Sequence, residues 1–177
     1  MAMHKMFIAG SGGQGILLMG QIITYGAMRE DLEASFLPSY GPEMRGGTAN
    51  CTVVVSDKPI SCPLIYEADA VVAMNLPSMH RFESLVKPGG KLLLNATLIE
   101  EEPARDDIEI IRVPANQIAM ELGNSRAANI VMLGALIRKT GALRPESIEY
   151  VLAHKVFHGK KANLLPLNQQ AFHAWQE

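Results

Sequence analysis

A glycine-rich turn near the start of the chain limits the folds that this sequence can adopt. Residues 5–9 form a short apolar run that is typical of a buried strand, and Gly10, Gly12 and Gly15 follow it directly. Apolar residues then recur at helical spacing over residues 16–27. A strand, a glycine turn and a helix in this order are the first unit of an open α/β sheet that binds a ligand at the turn.

The turn favours an anionic ligand, because glycines permit close approach and the first N–H groups of the helix are unpaired. NAD would also need a carboxylate at the end of the second strand, to bind the ribose hydroxyls. That strand is predicted over residues 32–37 and stopped by Pro38, with Glu33 near its start, so its end carries no carboxylate. NAD is therefore less favoured than another anion, and a turn that only packs the helix on the strand remains an alternative.

The order of the remaining elements predicts the fold class. Strands alternate with helices up to about residue 140, and the rest of the chain is helical. This pattern predicts an α/β, Rossmann-like, mostly parallel open sheet flanked by helices, with a helical C-terminal extension. We expect one domain over residues 1–177, with a core of about 5–140 and a helical part of about 141–177. Further strands are predicted at 49–55, 68–74, 91–95 and 108–113, and helices at 78–86, 115–122, 125–139, 145–155 and 168–175.

Composition excludes several classes of protein. The 177 residues include 48% hydrophobic residues and carry a net charge of −2, which indicates a globular chain that does not bind nucleic acid. Cys51 and Cys62 are too few to hold an iron–sulfur cluster, and we expect free thiols. His154 and His158 lie four apart on a predicted helix without a third ligand, so no metal site is predicted. No residue is predicted to be catalytic.

Membrane and secretory signals are also missing from the pattern. The apolar run at the N-terminus is short and breaks into glycines, and the longest apolar stretch, residues 130–137, is too short to span a bilayer. We expect a soluble, cytoplasmic protein. The apolar helix at 125–139, with Gly141 as its C-terminal cap, is expected in the core, and a subunit contact is the alternative.

Residues 39–50 are the most unusual segment of the chain. In a parallel sheet, a loop after the second strand lies at the carboxyl edge beside the glycine turn. Arg45 precedes Gly46 and Gly47, and its guanidinium is suited to bidentate pairing with a carboxylate or a phosphate. A surface turn in which Arg45 only pairs with Glu43 is compatible with the same residues.

These two segments resemble a known family. Gly10–Gly15 and the longer run from Ser39 to Ala49 are similar to the gamma subunit of 2-oxoacid:ferredoxin oxidoreductases, the pyruvate/ketoisovalerate oxidoreductase gamma-domain family. Ile60–Pro63 followed by Ala68-Asp69 also resembles that family, although serine is more usual at the position of Cys62. The similarity covers roughly residues 5–174 and is nearest to the gamma subunit of the 2-oxoglutarate (2-ketoglutarate) enzyme.

The resemblance implies a subunit that is not active alone. In such a complex, thiamine diphosphate lies between the alpha and beta subunits, and iron–sulfur clusters lie in beta or in a ferredoxin-like (delta) subunit. Ferredoxin accepts the electrons, and CoA is a co-substrate of the oxidative decarboxylation of a 2-oxoacid, with 2-oxoglutarate favoured and pyruvate the other type considered. A free-standing NAD(P)-dependent dehydrogenase and a nucleotide- or CoA-binding regulatory module remain the alternatives. The candidate cofactor-binding residues are Gly10, Gly12, Gly13, Gln14, Gly15, Ser39, Tyr40, Glu43, Arg45, Gly46, Gly47 and Thr48.

Overall fold

A six-stranded sheet forms the centre of the computed structural model, which describes residues 3–40 and 48–177. The strand order is β2-β3-β1-β4-β5-β6. β1, β4, β5 and β6 are parallel, whereas β3 is antiparallel to both of its neighbours, β1 and β2. The sheet is therefore mostly parallel and open, as predicted. The strands are β1 (His4–Ser11), β2 (Glu33–Tyr40), β3 (Thr48–Ser56), β4 (Ala68–Ala73), β5 (Val86–Asn95) and β6 (Glu109–Val113).

Helices cover both faces of the sheet. On one face Met6 and Ile8 of β1 pack with α1 and α3 to α6, and on the other face Phe7 and Ala9 pack with α2. Alternate residues of one strand thus enter two cores, as the pleat of a strand requires. The helices are α1 (Ile16–Arg29), α2 (Leu76–Phe82), α3 (Ala115–Glu121), α4 (Ala128–Thr140), α5 (Pro145–Val151) and α6 (Leu165–Ala174), with 3-10 segments at Glu83–Leu85, Ser125–Ala127 and Gly159–Leu164 and a π-helical segment at Leu152–Val156.

Helix α4 is the central helix of the larger core. All ten residues from Ala128 to Ile137 are buried, which confirms the prediction of a core helix. The helix ends at Thr140 and is capped by Gly141, which is left-handed with a φ of 62° and donates its N–H to Ile137 O at 2.9 Å. This is the glycine cap that the sequence predicts. Within the described residues, none of the helices has both the length and the apolar character needed to cross a membrane.

The prediction that Pro38 stops the second strand is wrong. β2 continues through Pro38 to Tyr40, and Pro38 pairs in register with Cys51 of β3. β2 lies at the edge of the sheet, where a proline without an N–H group is tolerated.

Cys51 is buried, and burial raises the pKa of its thiol to about 12, whereas Cys62 is exposed.

Two other local predictions need correction. The turn predicted at residues 88–90 lies inside β5, where the register with β4 shifts between the pairs Ala68–Val86 and Ala70–Lys91. The helix predicted at 145–155 becomes π-helical after Val151 and ends at Val156. His154 and His158 therefore do not share a helix.

Candidate ligand-binding site at the glycine turn

The glycine turn joins β1 to α1 and is held by the side chain of Gln14. Gln14 Oε1 accepts a hydrogen bond from Ser11 N at 2.7 Å, and Gln14 Nε2 donates to Met74 O at 3.2 Å. A Cβ atom at Gly10 would lie 2.6 Å from Gln14 Oε1, so glycine at this position lets the side chain fold back. Gln14 therefore links the turn to the end of β4.

The turn lies where the connections of the sheet change direction. From β1 the chain passes through α1 on one face toward β2, and from β4 it passes through α2 on the other face toward β5. In an open α/β sheet, this switch point leaves a crevice at the carboxyl ends of the two strands, and ligands bind there.

A cavity of about 200 Å³ occupies this crevice. Among the described residues that line it, Arg126 carries the one charge. Arg126 is exposed and forms no ion pair with another described residue. The first turns of α1 and α4 contain no acidic residue. Two helix starts and a guanidinium make the crevice favourable to an anion. The lining residues are Gly13, Gln14, Met74, Asn116, Ser125, Arg126, Ala128 and Asn129.

Side-chain amides connect the walls of the cavity. Met74 O accepts a second hydrogen bond, from Asn95 Nδ2 at 3.2 Å, and the same Nδ2 donates to Asn116 Oδ1 at 2.7 Å. Asn129 Nδ2 lies 3.4 Å from Gly15 O, which joins the start of α4 to the start of α1. The ends of β1, β4 and β5 and the starts of three helices are thus held together by amides.

The structure also locates the two ends of the second predicted loop. β2 and β3 form a hairpin in which Tyr40 pairs with Ala49, and Thr48 pairs with Ser11 of β1. The loop therefore starts and ends at the edge that carries the glycine turn, as predicted, but β3 separates β2 from β1. Ser39 is at the end of β2. Glu43, Arg45, Gly46 and Gly47 lie outside the described residues.

The cavity contains only some of the predicted site residues. Gly13 and Gln14 line it, Gly12 belongs to the same turn, and Gly10 and Gly15 give the turn its shape. Ser39 and Thr48 are not among the lining residues.

Segments after β4 also contribute cavity residues, which the local sequence patterns did not predict. Asn124 is a typical N-cap, and its Oδ1 accepts from Arg126 N at 3.0 Å. The helix predicted from residue 125 thus starts where expected, but its first residues were not predicted to belong to a site. The missed residues are Met74, Asn116, Ser125, Arg126, Ala128 and Asn129.

Comparison with known proteins identifies the family. Residues 5–175 match the family model described as "Pyruvate ferredoxin/flavodoxin oxidoreductase". The chain belongs to this oxidoreductase family. The resemblance found in the two glycine-bearing segments is thereby confirmed, and nothing in the comparisons supports a free-standing NAD(P)-dependent dehydrogenase.

Two curated relatives in the oxidoreductase family differ in length from each other. The chain is 42% identical over 133 residues to ketoisovalerate oxidoreductase subunit VorA of Methanothermobacter marburgensis, which covers 75% of this chain but 28% of VorA. It is 35% identical over 166 residues to 2-oxoglutarate synthase subunit KorC of Methanocaldococcus jannaschii, which covers 92% of this chain and 89% of KorC. The chain thus spans less than a third of the first relative and nearly all of the second.

Solved structures of the oxidoreductase family share the fold. The gamma subunit of the keto/oxoacid ferredoxin oxidoreductase from Geobacter sulfurreducens has a TM-score of 0.86 at 27% identity, covering 98% of this chain and 94% of that one. The 2-oxoglutarate:ferredoxin oxidoreductase from Magnetococcus marinus, solved with 2-oxoglutarate, coenzyme A and succinyl-CoA bound, has a TM-score of 0.89 at 26% identity, covering 98% of this chain and 30% of that one. The chain is therefore a gamma-type member of the family.

Proposed function

We propose that this chain acts as the gamma subunit of a multisubunit 2-oxoacid:ferredoxin oxidoreductase and contributes to the binding of CoA. The complex would cleave the C1–C2 bond of a 2-oxoacid, release CO2, transfer the acyl group to the sulfur of CoA and pass two electrons to ferredoxin. The subunit would be inactive alone.

The crevice at the switch point of the sheet carries this proposal. It brings the guanidinium of Arg126 and the starts of α1 and α4 around one cavity. CoA carries several phosphate groups, and such groups bind to helix starts and to arginine. Further support comes from the enzyme from Magnetococcus marinus, which was solved with CoA bound. The structural match covers 98% of this chain and 30% of the length of that one.

The other cofactors would belong to partner subunits. Among the described residues, there is no group of three or more His, Cys, Asp and Glu side chains that could hold a metal ion. We propose that alpha and beta subunits bind thiamine diphosphate and that beta or a ferredoxin-like subunit holds the iron–sulfur clusters. Within this chain, the glycine turn and the loop ends at Ser39, Tyr40 and Thr48 would face the assembled active site.

The oxoacid is proposed to be 2-oxoglutarate. The KorC relative, which matches this chain over nearly its whole length, is named for 2-oxoglutarate synthase. VorA is named for ketoisovalerate and matches over a shorter part. Measuring kcat/KM of the complex for 2-oxoglutarate, pyruvate and ketoisovalerate would rank the three substrates.

Replacing Arg126 with methionine tests the CoA assignment. Methionine keeps much of the apolar stem and removes the charge and the donors. A charge-assisted hydrogen bond contributes about 1.5–3 kcal/mol, so the KM for CoA of the reconstituted complex should rise roughly ten- to a hundredfold. We propose Arg45, the arginine in the segment of residues 39–50, as a second contact to an anionic group of CoA. Arg45→Met should therefore raise the same KM.

The matched control is Arg138→Met. Arg138 is exposed in the last turn of α4, the end of the helix away from the cavity. Its replacement should leave the KM for CoA unchanged. An unchanged KM for CoA in an active complex carrying Arg126→Met would remove Arg126 from the site. A complex that forms and turns over without this chain would overturn the proposed function itself.

A further inference from the structure

The amide pair Asn95 and Asn116 gives the cavity a chemical preference. Resting on the proposed function, we infer that Asn116 is a specificity-determining residue that donates a hydrogen bond to an anionic oxygen group in the cavity. Asn95 is the positioning residue that fixes the orientation of the Asn116 amide.

The direction of one hydrogen bond leads to this assignment. Asn95 is 0% exposed at the end of β5, and its Nδ2, which can only donate, points to Asn116 Oδ1 at 2.7 Å. Because Asn116 Oδ1 must accept that bond, the amide of Asn116 cannot flip without losing it. Its Nδ2 is then the atom left to donate to a ligand in the cavity that Asn116 lines.

A purely structural role explains Asn95 poorly. Its Oδ1 is buried and has no hydrogen-bond partner among the described residues, whereas buried polar atoms in proteins are paired in the great majority of cases. A leucine, which has the same branching and number of heavy atoms, would avoid the cost of burying this polar atom. Asn95 is instead held by its two donated bonds, to Met74 O and to Asn116, which orient a residue of the site.

The size and charge of the cavity define the class of ligand. Asn116 Nδ2, the Arg126 guanidinium and the first N–H groups of α1 are all donors, which suit phosphate or carboxylate oxygens. A volume of about 200 Å³ is below that of a typical pocket for a drug-sized ligand. The cavity therefore receives one anionic group, which is either a phosphate of CoA or a carboxylate of the 2-oxoacid.

Asn116→Asp is the decisive substitution, because it keeps the shape of the side chain and the oxygen that accepts from Asn95. It replaces one donor with a charged acceptor. In the reconstituted complex, the KM for the ligand that enters the cavity should rise about a hundredfold, against about tenfold for Asn116→Ala, which removes the donor without adding charge. The matched control is Asn163→Asp, the same change at an exposed position of the Gly159–Leu164 segment, and it should have no effect.

The molecule that supplies the anionic group is identified by whether the KM for CoA or the KM for the 2-oxoacid changes. A rise in the KM for CoA alone identifies a CoA phosphate, and comparison with dephospho-CoA then separates the 3′-phosphate from the diphosphate. A rise in the KM for the 2-oxoacid alone identifies a substrate carboxylate. If the Asn116→Asp complex is active and its KM values for CoA and for the 2-oxoacid are both unchanged from the wild type, the inference is overturned but the proposed function still stands.

Asn95→Leu tests the positioning role. It should raise the same KM as Asn116→Ala does, with little further change when the two substitutions are combined, because both act through one donor. Additive effects would overturn the positioning role. Independently of activity and of that variant's folding, titration of the wild-type chain with inorganic phosphate should shift the Asn116 side-chain amide resonance in NMR spectra. An unshifted resonance at saturating phosphate also contradicts the assignment.

Discussion

At the scale of single residues, the close approach of α1 and α4 depends on Gly15. Gly15 has a φ of 75°, in the left-handed region, and a Cβ atom at this position would lie 2.3 Å from Asn129 Nδ2. Both the backbone conformation and the contact therefore require glycine. The position that the sequence offers as a ligand-approach glycine is also the position where two helices meet.

We predict that Gly15→Ala destabilises the chain by about 2–4 kcal/mol, since it combines backbone strain with a collision against Asn129. Urea unfolding of the full chain measures the loss. Gly13→Ala is the control, because Gly13 also has a positive φ, of 90°, but among the described residues no atom outside its two chain neighbours lies within 4 Å of the added Cβ. That variant should lose only the strain, about 1–2 kcal/mol. Equal losses at the two positions would contradict the proposed contact.

At the scale of elements, Asp69 connects β1, β4 and β5 near their amino-terminal ends, which is the opposite end of the strands from the cavity. Its carboxylate accepts a hydrogen bond from Lys5 N of β1 at 2.7 Å and pairs with Lys87 of β5. Burial acts to raise the pKa of Asp69, but the hydrogen bonds from Lys87 and Lys5, with the charges of Lys87 and His4, outweigh it and lower that pKa. The carboxylate thus stabilises the folded chain in its charged form.

The lowered pKa predicts a loss of stability in acid. In the unfolded chain, Asp69 has a pKa of about 3.9, so its contribution is fully present above that value and is lost as the pH falls through the lower folded pKa. Asp69→Asn should cost about 1 kcal/mol at pH 7, because the pair is partly exposed, and less at pH 3.

Urea unfolding at both pH values measures the Asp69 effect. Asp106→Asn, at an exposed aspartate, is the control and should have no effect at either pH. A loss from Asp69→Asn that stays the same between pH 7 and pH 3 would show that the charge of Asp69 is not involved.

At the scale of the whole molecule, the position of β3 distinguishes this sheet from the type of sheet that binds NAD in dehydrogenases. In a dinucleotide-binding sheet, the ribose carboxylate stands at the carboxyl end of a parallel strand beside β1. Here the neighbour of β1 on that side is the antiparallel β3, which contributes Thr48 opposite Ser11. Glu33 is the first residue of β2 and pairs with Ser56, at the opposite end of the strands from the glycine turn.

We therefore predict that the isolated chain binds NADH weakly, with no saturation below about 1 mM. Titration followed by NADH fluorescence tests this, with a known NAD-dependent dehydrogenase as the positive control. Micromolar affinity would restore the dehydrogenase alternative. In that case Glu33→Gln would show whether Glu33 binds the ribose.

Local patterns predicted much of the fold. The glycine turn, α1, the strands from β3 to β6 and the core position of α4 all follow from apolar periodicity and from glycine, which act over a few residues. The extension of β2 through Pro38 and the irregular register of β5 at Gly89 and Gly90 could not be predicted in this way. A proline or a glycine reads as a break until the neighbouring strand and its pairing are known.

The sequence by itself determined that a glycine turn starts an α/β sheet and that the chain is a gamma-type oxidoreductase domain, because both rest on contiguous motifs. Only the tertiary structure decided that β3 lies between β1 and β2 and that Met74, Asn95, Asn116 and Arg126 meet at one cavity. Gln14 and Met74 are 60 positions apart, and Asn95 and Asn116 are 21 apart. Such contacts depend on strand order and direction, which long-range pairing sets and local propensity does not specify.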